Sequence, residues 1–308
     1  MKIKKASYGV VASMAIAALA LSGCGGDSGS SGGSTNGGGL GGDNGDSALT
    51  YDVATNVDLT GSPTYDKMKA ADKVTIGVKD DQPGLGYLDP LTDERVGFDI
   101  EIAKWMAASL GFPEDKIEFK TIPSASREQA IQNGDVDFYV GTYSITDKRK
   151  QQINFAGPYF VTGQGILVKK DNEDIKSEKD LAGKKVCSAT GSTPIQNIRE
   201  NFPEAEPFEY DKYSLCVQAL ESGEVDAVST DQAILIGFAS EKPDTLKVVG
   251  EPFTEERYGI GLPKGDTALT EFFNTTLTDG GDTWTKIYDA TLGKSGTKVE
   301  QPTVDPAS

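Results

Sequence analysis

The sequence predicts an α/β protein of two similar lobes, each a mixed β-sheet flanked by helices. Two nine-residue segments, 129–137 (QAIQNGDVD) and 218–226 (QALESGEVD), match at five positions. Each has apolar residues at helical spacing, a glycine that can end a helix in the left-handed conformation, and the start of a short strand, residues 136–140 or 225–229. The duplication favours two domains over one. The alternative is that two unrelated units converged on the same connection.

Polar residues follow both of these strands. The first leads into residues 141–149 (GTYSITDKR), and the second leads into residues 230–232 (TDQ). Ligands of open α/β sheets bind beyond the carboxyl ends of the strands. If the two units face each other, hydroxyl groups, an arginine and a carboxylate will meet in one cleft.

The elements before the first repeat follow from local patterns. A helix is expected at residues 63–71 and a buried, β-branched strand at residues 74–78, followed by a loop and a hairpin-like turn. Asp99 is expected to cap the next helix, which Gly111 and Pro113 end. A strand at residues 117–122 then leads into the first repeat.

Between the repeats, an extended run at residues 165–168 precedes a strand at residues 185–187. That strand opens into residues 188–194 (SATGSTP) and a helix from residue 195 to 202. Free amides and hydroxyls at such a helix start form a ready anion site, although an ordinary capped helix is the alternative. The segment lacks the lysine of a nucleotide-binding P-loop.

After the second repeat, the pattern predicts alternating helices and extended segments. The expected elements are a helix to about residue 240, a strand at 246–249, an extended run through 258–262, and helices at 267–278 and 283–292. Residues 294–308 contain few apolar side chains, so we expect a frayed tail.

The first 23 residues have the pattern of an export signal. Lysines at positions 2, 4 and 5 precede an apolar run at residues 10–21, which is too short to span a bilayer as a mature helix. The run ends in residues 21–24 (LSGC), which resemble the lipobox of bacterial lipoproteins. We therefore expect Cys24 to carry a lipid. The alternative is an ordinary signal followed by an incidental cysteine.

A tether is predicted between this cysteine and the folded part of the chain. Residues 27–46 consist almost wholly of Gly, Ser, Asn, Thr and Asp, a composition that cannot bury a core. We assign residues 24–62 to the lipidated cysteine and a flexible tether. The folded part would then be held at the outer face of the cytoplasmic membrane.

Composition excludes several classes of function. Removal of residues 1–23 takes away three lysines, so the formal charge of −17 becomes −20, which argues against a nucleic-acid partner. The chain has no histidine, so it can form neither a Ser-His-Asp nor a Cys-His arrangement, and a zinc site would lack its commonest nitrogen ligand. We expect no metal, no cofactor and a monomer.

Cysteine counting predicts one disulfide. If Cys24 is lipidated, Cys187 and Cys216 remain as an even pair in an exported chain. Two free buried thiols are the alternative.

Several motifs together resemble a known family. They are DDQPGLGY at residues 80–87 with GFDI at 97–100, SITDKR at 144–149 with INFAGPY at 153–159, TGS at 190–192, and Asp231. These segments resemble the polar amino-acid solute-binding proteins of ABC importers (family 3), and within that family the glutamate-binding lipoproteins of Gram-positive bacteria. The likeness covers about residues 63–293.

The resemblance implies a type II periplasmic-binding-protein-like fold, with two lobes joined by two crossover strands. Lobe 1 would comprise residues 63–160 and 255–293, and lobe 2 would comprise residues 161–254. The lobes would close on one free amino acid. The closed form would then be recognised by membrane permeases coupled to an ATPase.

The resemblance also assigns roles to individual residues. Arg149, helped by Ser144, would grip the α-carboxylate of the ligand. The backbone around Thr142 and the carboxylate of Asp231 would bind the ammonium group. Lobe 2 would complete the carboxylate site with three residues, Thr190, Gly191 and Ser192.

Arg127 is expected to select the substrate. A second carboxylate on the ligand needs a second cation, because burial of an unpaired anion is very costly. Arg127, with Ser124 and Ser126, resembles the acidic-ligand members of the family, so glutamate is expected before aspartate or glutamine. An ordinary surface arginine is the alternative. Pro83 stands where many relatives carry a stacking aromatic residue, which leaves Tyr87 or another ring to replace it.

The sequence leaves open the second partner of the ligand ammonium and two other classes of function. Asp81, or its neighbour Asp80, would be a further ammonium partner. A dehydratase-like enzyme on the same fold and a ligand-sensing lipoprotein are the other classes of function, because fold alone does not fix function.

Overall fold

The computed structural model describes residues 49–295 and 299–306. The predicted signal, Cys24 and most of the predicted tether therefore lie outside the described residues. Within the described ranges, no helix is both long enough and apolar enough to cross a membrane.

The chain builds one lobe, crosses into a second, and returns to the first. The first part of lobe 1 contains α1 (Pro63–Ala71), β1 (Val74–Val78), β2 (Asp81–Gln82), β3 (Gly86–Leu88), β4 (Arg95–Val96), α2 (Phe98–Ser109), β5 (Ile117–Thr121), α3 (Arg127–Gln132), β6 (Phe138–Tyr139), α4 (Asp147–Lys150) and β7 (Asn154–Thr162). Lobe 2 contains β8 (Gln164–Lys169), β9 (Lys185–Ala189), α5 (Thr193–Asn201), β10 (Glu206–Tyr210), α6 (Tyr213–Ser222), β11 (Ala227–Asp231), α7 (Gln232–Glu241) and β12 (Leu246–Val249). The return to lobe 1 adds β13 (Glu256–Leu262), α8 (Thr267–Asp279) and α9 (Gly281–Ala290).

The two lobes share one sheet topology. Lobe 1 has the strand order β5-β1-β6-β13-β7, and lobe 2 has the order β10-β9-β11-β8-β12. In each sheet the first three strands pair in parallel, and the fourth strand pairs antiparallel with both of its neighbours. The strands that follow the two repeats, β6 and β11, occupy the same third position. The predicted two-lobed α/β fold is thus confirmed.

The crossovers between the lobes pass close to each other. The chain leaves lobe 1 at Gly163, between β7 and β8, and returns between β12 and β13. A Cβ atom on Gly163 would lie 2.2 Å from the carbonyl oxygen of Thr254 on the other crossover. Only glycine fits there, because that contact is with backbone rather than with a movable side chain.

Two of the sequence predictions for the ends of the fold are wrong. Residues 49–62, assigned to the tether, pack on lobe 1: Tyr51 donates to Glu101 at 2.8 Å, and the amide of Ala54 donates to the carbonyl of Ala108. Residues 299–306, predicted to fray, also pack on lobe 1: Asp305 pairs with Arg257 at 2.7 Å, and Val304 contacts the core. In both segments a few well-placed side chains outweigh a polar composition.

Asp99 also differs from its predicted role. Helix α2 begins at Phe98 after Gly97, without a side-chain cap. Asp99 lies one residue further on and is buried, where it accepts hydrogen bonds from the amide of Thr142 at 2.9 Å and the hydroxyl of Tyr159 at 2.8 Å. It therefore fixes the loop after β6 rather than the start of its own helix.

The predicted disulfide is present. Cys187 in β9 and Cys216 in α6 are bonded, with their Cα atoms 5.5 Å apart. The alternative of two free thiols is wrong. The bond ties α6, which borders the cleft, to the central part of the lobe 2 sheet.

Candidate functional site

The residues predicted to form the site meet between the lobes, which contact each other directly. A terminal nitrogen of Arg149 donates to the carbonyl of Gly191 at 3.1 Å, and the hydroxyls of Ser144 and Thr193 lie 3.3 Å apart. Each contact joins a lobe 1 residue to a lobe 2 residue. The structure is therefore a closed form, in which the loops after β6 and β9 face one another.

Arg149 lies at this junction, in the short helix α4 that Thr146 caps. Its Nη1 donates to the carbonyl of Ser144 at 2.7 Å, and its Nε pairs with Glu128 at 3.2 Å. The side chain is buried, and burial followed by the neighbouring Arg127 lowers its pKa. Carbonyl oxygens are weaker partners for a guanidinium than a carboxylate, so a ligand carboxylate can replace those of Ser144 and Gly191.

Arg127 begins helix α3 and is 2% exposed. Its Nε donates to the carbonyl of Ser124 at 3.1 Å and its Nη1 donates to the carbonyl of Thr142 at 3.3 Å. Its guanidinium lies 4.2 Å from the ring centre of Tyr143, and that of Arg149 lies 4.9 Å from the same centre. The two arginines thus share one aromatic platform, and Arg127 is not a surface side chain.

Lys79 is a third cation that sequence reasoning missed. It follows β1 directly, is 5% exposed, and donates from Nζ to the hydroxyl of Ser124 at 2.8 Å. Burial, and then the charge of Arg127, lower its pKa to about 7. Its position at the carboxyl end of a central parallel strand was the available signal. Among the described residues, no carboxylate forms an ion pair with Lys79 or Arg127.

Asp231 supplies the negative charge. It ends β11, and its Oδ2 accepts a hydrogen bond from the hydroxyl of Tyr258 at 2.7 Å. Its Oδ1 is buried and has no hydrogen-bond partner within the described ranges. Burial, and then the nearby carboxylate of Glu256, raise the pKa of Asp231 to about 8. A ligand ammonium would satisfy both the free oxygen and the charge.

Thr142 connects the cationic end of the cleft to the lobe 1 core. Its backbone has φ +45°, its amide is bound by Asp99, and its hydroxyl donates to Oε1 of Gln82 at 3.1 Å. Gln82 is fully buried, and its Nε2 has no partner among the residues described. The sequence analysis did not identify the side-chain amide of Gln82, the residue before Pro83, as part of the site.

The predicted site residues of lobe 2, at positions 190–192, form hydrogen bonds within their own lobe. Ser192 caps α5 by accepting from the amide of Ile195, and Thr190 donates to the carbonyl of Tyr210 at 3.4 Å. Gly191 has φ +75°, and a Cβ on it would lie 2.6 Å from the Cα of Ala125 in lobe 1. The bend after β9 therefore brings the carbonyl of Gly191 to Arg149.

Asp80, between β1 and β2, and Asp81, the first residue of β2, both contact lobe 2. Asp80 pairs with Lys212 at 2.7 Å, and Asp81 accepts from the amide of Ser214 at 3.0 Å. Pro83 contacts α7, where a Cβ on Gly237 would lie 2.2 Å from the Pro83 carbonyl oxygen. Tyr87 is half-buried in β3. An apolar groove of about 810 Å³ beside residues 160–163 includes none of the charged site residues.

Taken together, two α/β lobes closed over a cleft lined by cations and a carboxylate define a bilobed solute-binding protein. The family model for bacterial extracellular solute-binding proteins, family 3, matches residues 74–294. The chain belongs to this family, as the motifs predicted.

Several proteins similar to this chain are named for the amino acids they bind. The chain is 41% identical over 244 residues to the glutamate-binding protein GluB of Corynebacterium efficiens, covering 75% of this chain and 82% of GluB. It is 43% identical over 215 residues to the ABC transporter glutamine-binding protein GlnH of Bacillus subtilis, covering 70% of this chain and 78% of GlnH. A solved ancestral arginine-binding protein bound to arginine is 37% identical with a TM-score of 0.67, covering 72% of this chain and 98% of that one.

Proposed function

We propose that this protein captures glutamate outside the cell and delivers it to an ABC importer. The observation that carries the proposal is a pair of buried cations, Arg127 and Lys79, with no carboxylate partner in the described part of the chain. A buried cation without a counter-charge is costly. A ligand with a carboxylate side chain removes that cost.

The rest of the cleft fits the common part of an amino acid. Arg149 and the hydroxyl of Ser144 would bind the α-carboxylate, and the bend at residues 190–192 would complete that site. The α-ammonium would bind Oδ1 of Asp231, which is buried and has no hydrogen-bond partner among the described residues. In this arrangement the α-carboxylate and the side-chain carboxylate each have a cation of their own.

Glutamine is the second candidate. Because the pKa of Lys79 is lowered to about 7, this cation is only partly charged at neutral pH. The GlnH relative is named for glutamine. Aspartate shares both carboxylates with glutamate, but its shorter side chain separates them less.

The cellular context follows from the family and the first residues of the chain. We place the mature protein outside the cytoplasmic membrane, with Cys24 as the point of lipid attachment. Closure over the ligand would present both lobes in fixed relative positions to the permease subunits. We propose no catalytic activity, because Arg149, Arg127, Lys79 and Asp231 are each assigned to a charged group of the ligand.

Calorimetric titration of the purified protein with glutamate, aspartate and glutamine tests this assignment. Glutamate should bind tightest. Arg149→Ala should weaken all three ligands at least about 100-fold, because it leaves the α-carboxylate buried and unpaired. Arg127→Ala should weaken glutamate by a similar factor and glutamine far less.

Arg199→Ala is the matched control, because Arg199 is an exposed arginine of α5 that pairs with Glu209. It should leave all three affinities unchanged. Retention of near-normal affinity in Arg149→Ala would contradict the carboxylate site, and equal losses for glutamate and glutamine in Arg127→Ala would contradict glutamate as the substrate.

A further inference from the structure

Helix α6 begins without a cap from its own lobe. Its N-cap residue, Lys212, makes no side-chain capping bond, and the first turn contains no acidic residue. The first amides of a helix have no partner within the helix and need an oxygen from elsewhere. The neighbouring helix α5 shows the usual solution, since Ser192 caps it directly.

The missing oxygen comes from lobe 1. Oδ2 of Asp81 accepts a hydrogen bond from the amide of Ser214, the second residue of α6, at 3.0 Å. The two residues are 133 positions apart and belong to different lobes. Aspartate is among the best capping residues, and a negative charge also suits the positive end of a ten-residue helix. Asp80 adds a half-exposed ion pair to Lys212 at the same edge.

We propose that Asp81 is a positioning residue that caps α6 across the cleft and thereby stabilises the closed form. The cap exists only while the lobes are together, because any opening of the cleft separates Asp81 from Ser214. The hydrogen bond between Asp81 and Ser214 therefore lowers the free energy of the closed form by an amount that does not depend on the side chain of the ligand. This inference rests on the amino-acid-binding function proposed above.

The alternative role for Asp81 is direct contact with the ligand ammonium. Substitution of Asp81 alone does not separate the two roles, because its charge also acts on Lys79. Removal of the donor does separate them. Ser214→Pro deletes the amide hydrogen without changing any charge, and α5 already has Pro194 at the same second position. Ser214→Ala keeps the amide and is the matched control.

The test is a double-mutant cycle on ligand affinity. Ser214→Pro should weaken glutamate, aspartate and glutamine by the same factor, about 2- to 30-fold, which is the usual worth of an N-cap. Ser214→Ala should bind as the wild type does. Asp81→Ala should cost less in the Ser214→Pro background than in the wild type, because the shared hydrogen bond is already lost.

Hydrogen exchange at saturating glutamate, which holds the lobes closed, provides a second measurement. In Asp81→Ala, the amides at the start of α6 should exchange faster, whereas those at the start of α5, which Ser192 caps, should not change. Unchanged exchange at α6, additive effects in the cycle, or wild-type affinity in Ser214→Pro would each overturn the cap. Failure of the wild type to bind any amino acid would instead overturn the proposed function, and with it the ligand-driven closure that the cap stabilises.

Discussion

At the scale of single residues, Lys79 and Asp231 have side chains of opposite charge type, and burial shifts both pKa values toward the neutral pH range. The pKa of Lys79 is lowered to about 7 and that of Asp231 is raised to about 8. Each group recovers its charge when an opposite charge of the ligand arrives. Ligand binding is therefore expected to depend on pH in two opposite ways.

The sign of each effect follows from linkage. A bound side-chain carboxylate raises the pKa of Lys79, so its contribution to affinity is full below about pH 7 and is lost above it. A bound ammonium lowers the pKa of Asp231, so its contribution is full above about pH 8 and is lost below it. In the proposed site, Asp231 would act on every amino acid, whereas Lys79 would act only on ligands with an acidic side chain.

The ratio of glutamate affinity to glutamine affinity should therefore fall as pH rises. Titrations at pH 6 and pH 8 should show a decrease of about tenfold, because a lysine with a pKa near 7 loses about nine-tenths of its charge by pH 8. The Asp231 contribution cancels in the ratio. In Lys79→Met the ratio should not vary with pH, and a constant ratio in the wild type would contradict the role of Lys79.

At the scale of elements, helix α6 has several functions at once. Its apolar face packs into the core through Val217 and Leu220, its first turn contacts lobe 1, and Cys216 bonds it to β9. The disulfide closes a sequence separation of 29 residues. A cross-link of this length stabilises a protein by about 3 to 4 kcal/mol, chiefly by restricting the unfolded chain.

Reduction of Cys187–Cys216 should lower the thermal midpoint by roughly 6–16 °C, measured by calorimetry with and without reducing agent. The double variant Cys187→Ala/Cys216→Ala should start at a lowered midpoint and not respond to the reductant. A midpoint that reductant leaves unchanged in the wild type would mean that the bond contributes nothing to stability.

At the scale of the whole molecule, glycines allow the lobes to approach. Gly191 lies against Ala125, and Gly237 lies against the carbonyl of Pro83, each across the boundary between lobes. Gly237 is inside helix α7, where glycine is unfavourable by about 0.5–1 kcal/mol relative to alanine. Its presence is explained by closure rather than by the helix.

Gly237→Ala should therefore separate stability from binding. The added methyl group stabilises α7 but would lie 2.2 Å from backbone in the closed form, so ligand affinity should fall about tenfold or more. The thermal midpoint of the ligand-free protein should not fall. Ser240→Ala on the same helix is the control and should bind normally. Unchanged affinity in Gly237→Ala would show that closure does not need this contact.

Much of the molecule could be predicted because its determinants are local or internal to the sequence. Helix α1 was predicted with the bounds that the structure shows, from an apolar pattern and a proline at its start. The repeat predicted two lobes, and an even pair of cysteines predicted the disulfide. The position of Arg149, Arg127 and Asp231 at the cleft could be predicted because strand ends face a cleft in this kind of sheet.

The wrong or missing predictions concern burial and partners, which depend on residues distant in the chain. Lys79 and Gln82 look like ordinary loop residues until β1 and the loops around them enclose them. The partner of Asp81 could not be predicted either, because an aspartate at this position could bind a ligand or cap a helix 133 positions away.

The sequence alone determined the repeated unit, the elements and the residue types available to the cleft, because propensity and periodicity act over a few neighbours. Only the tertiary structure decided which charges are buried without partners and which segments pack at the ends. The free energy of a buried charge depends on every group around it, and those groups come from both lobes.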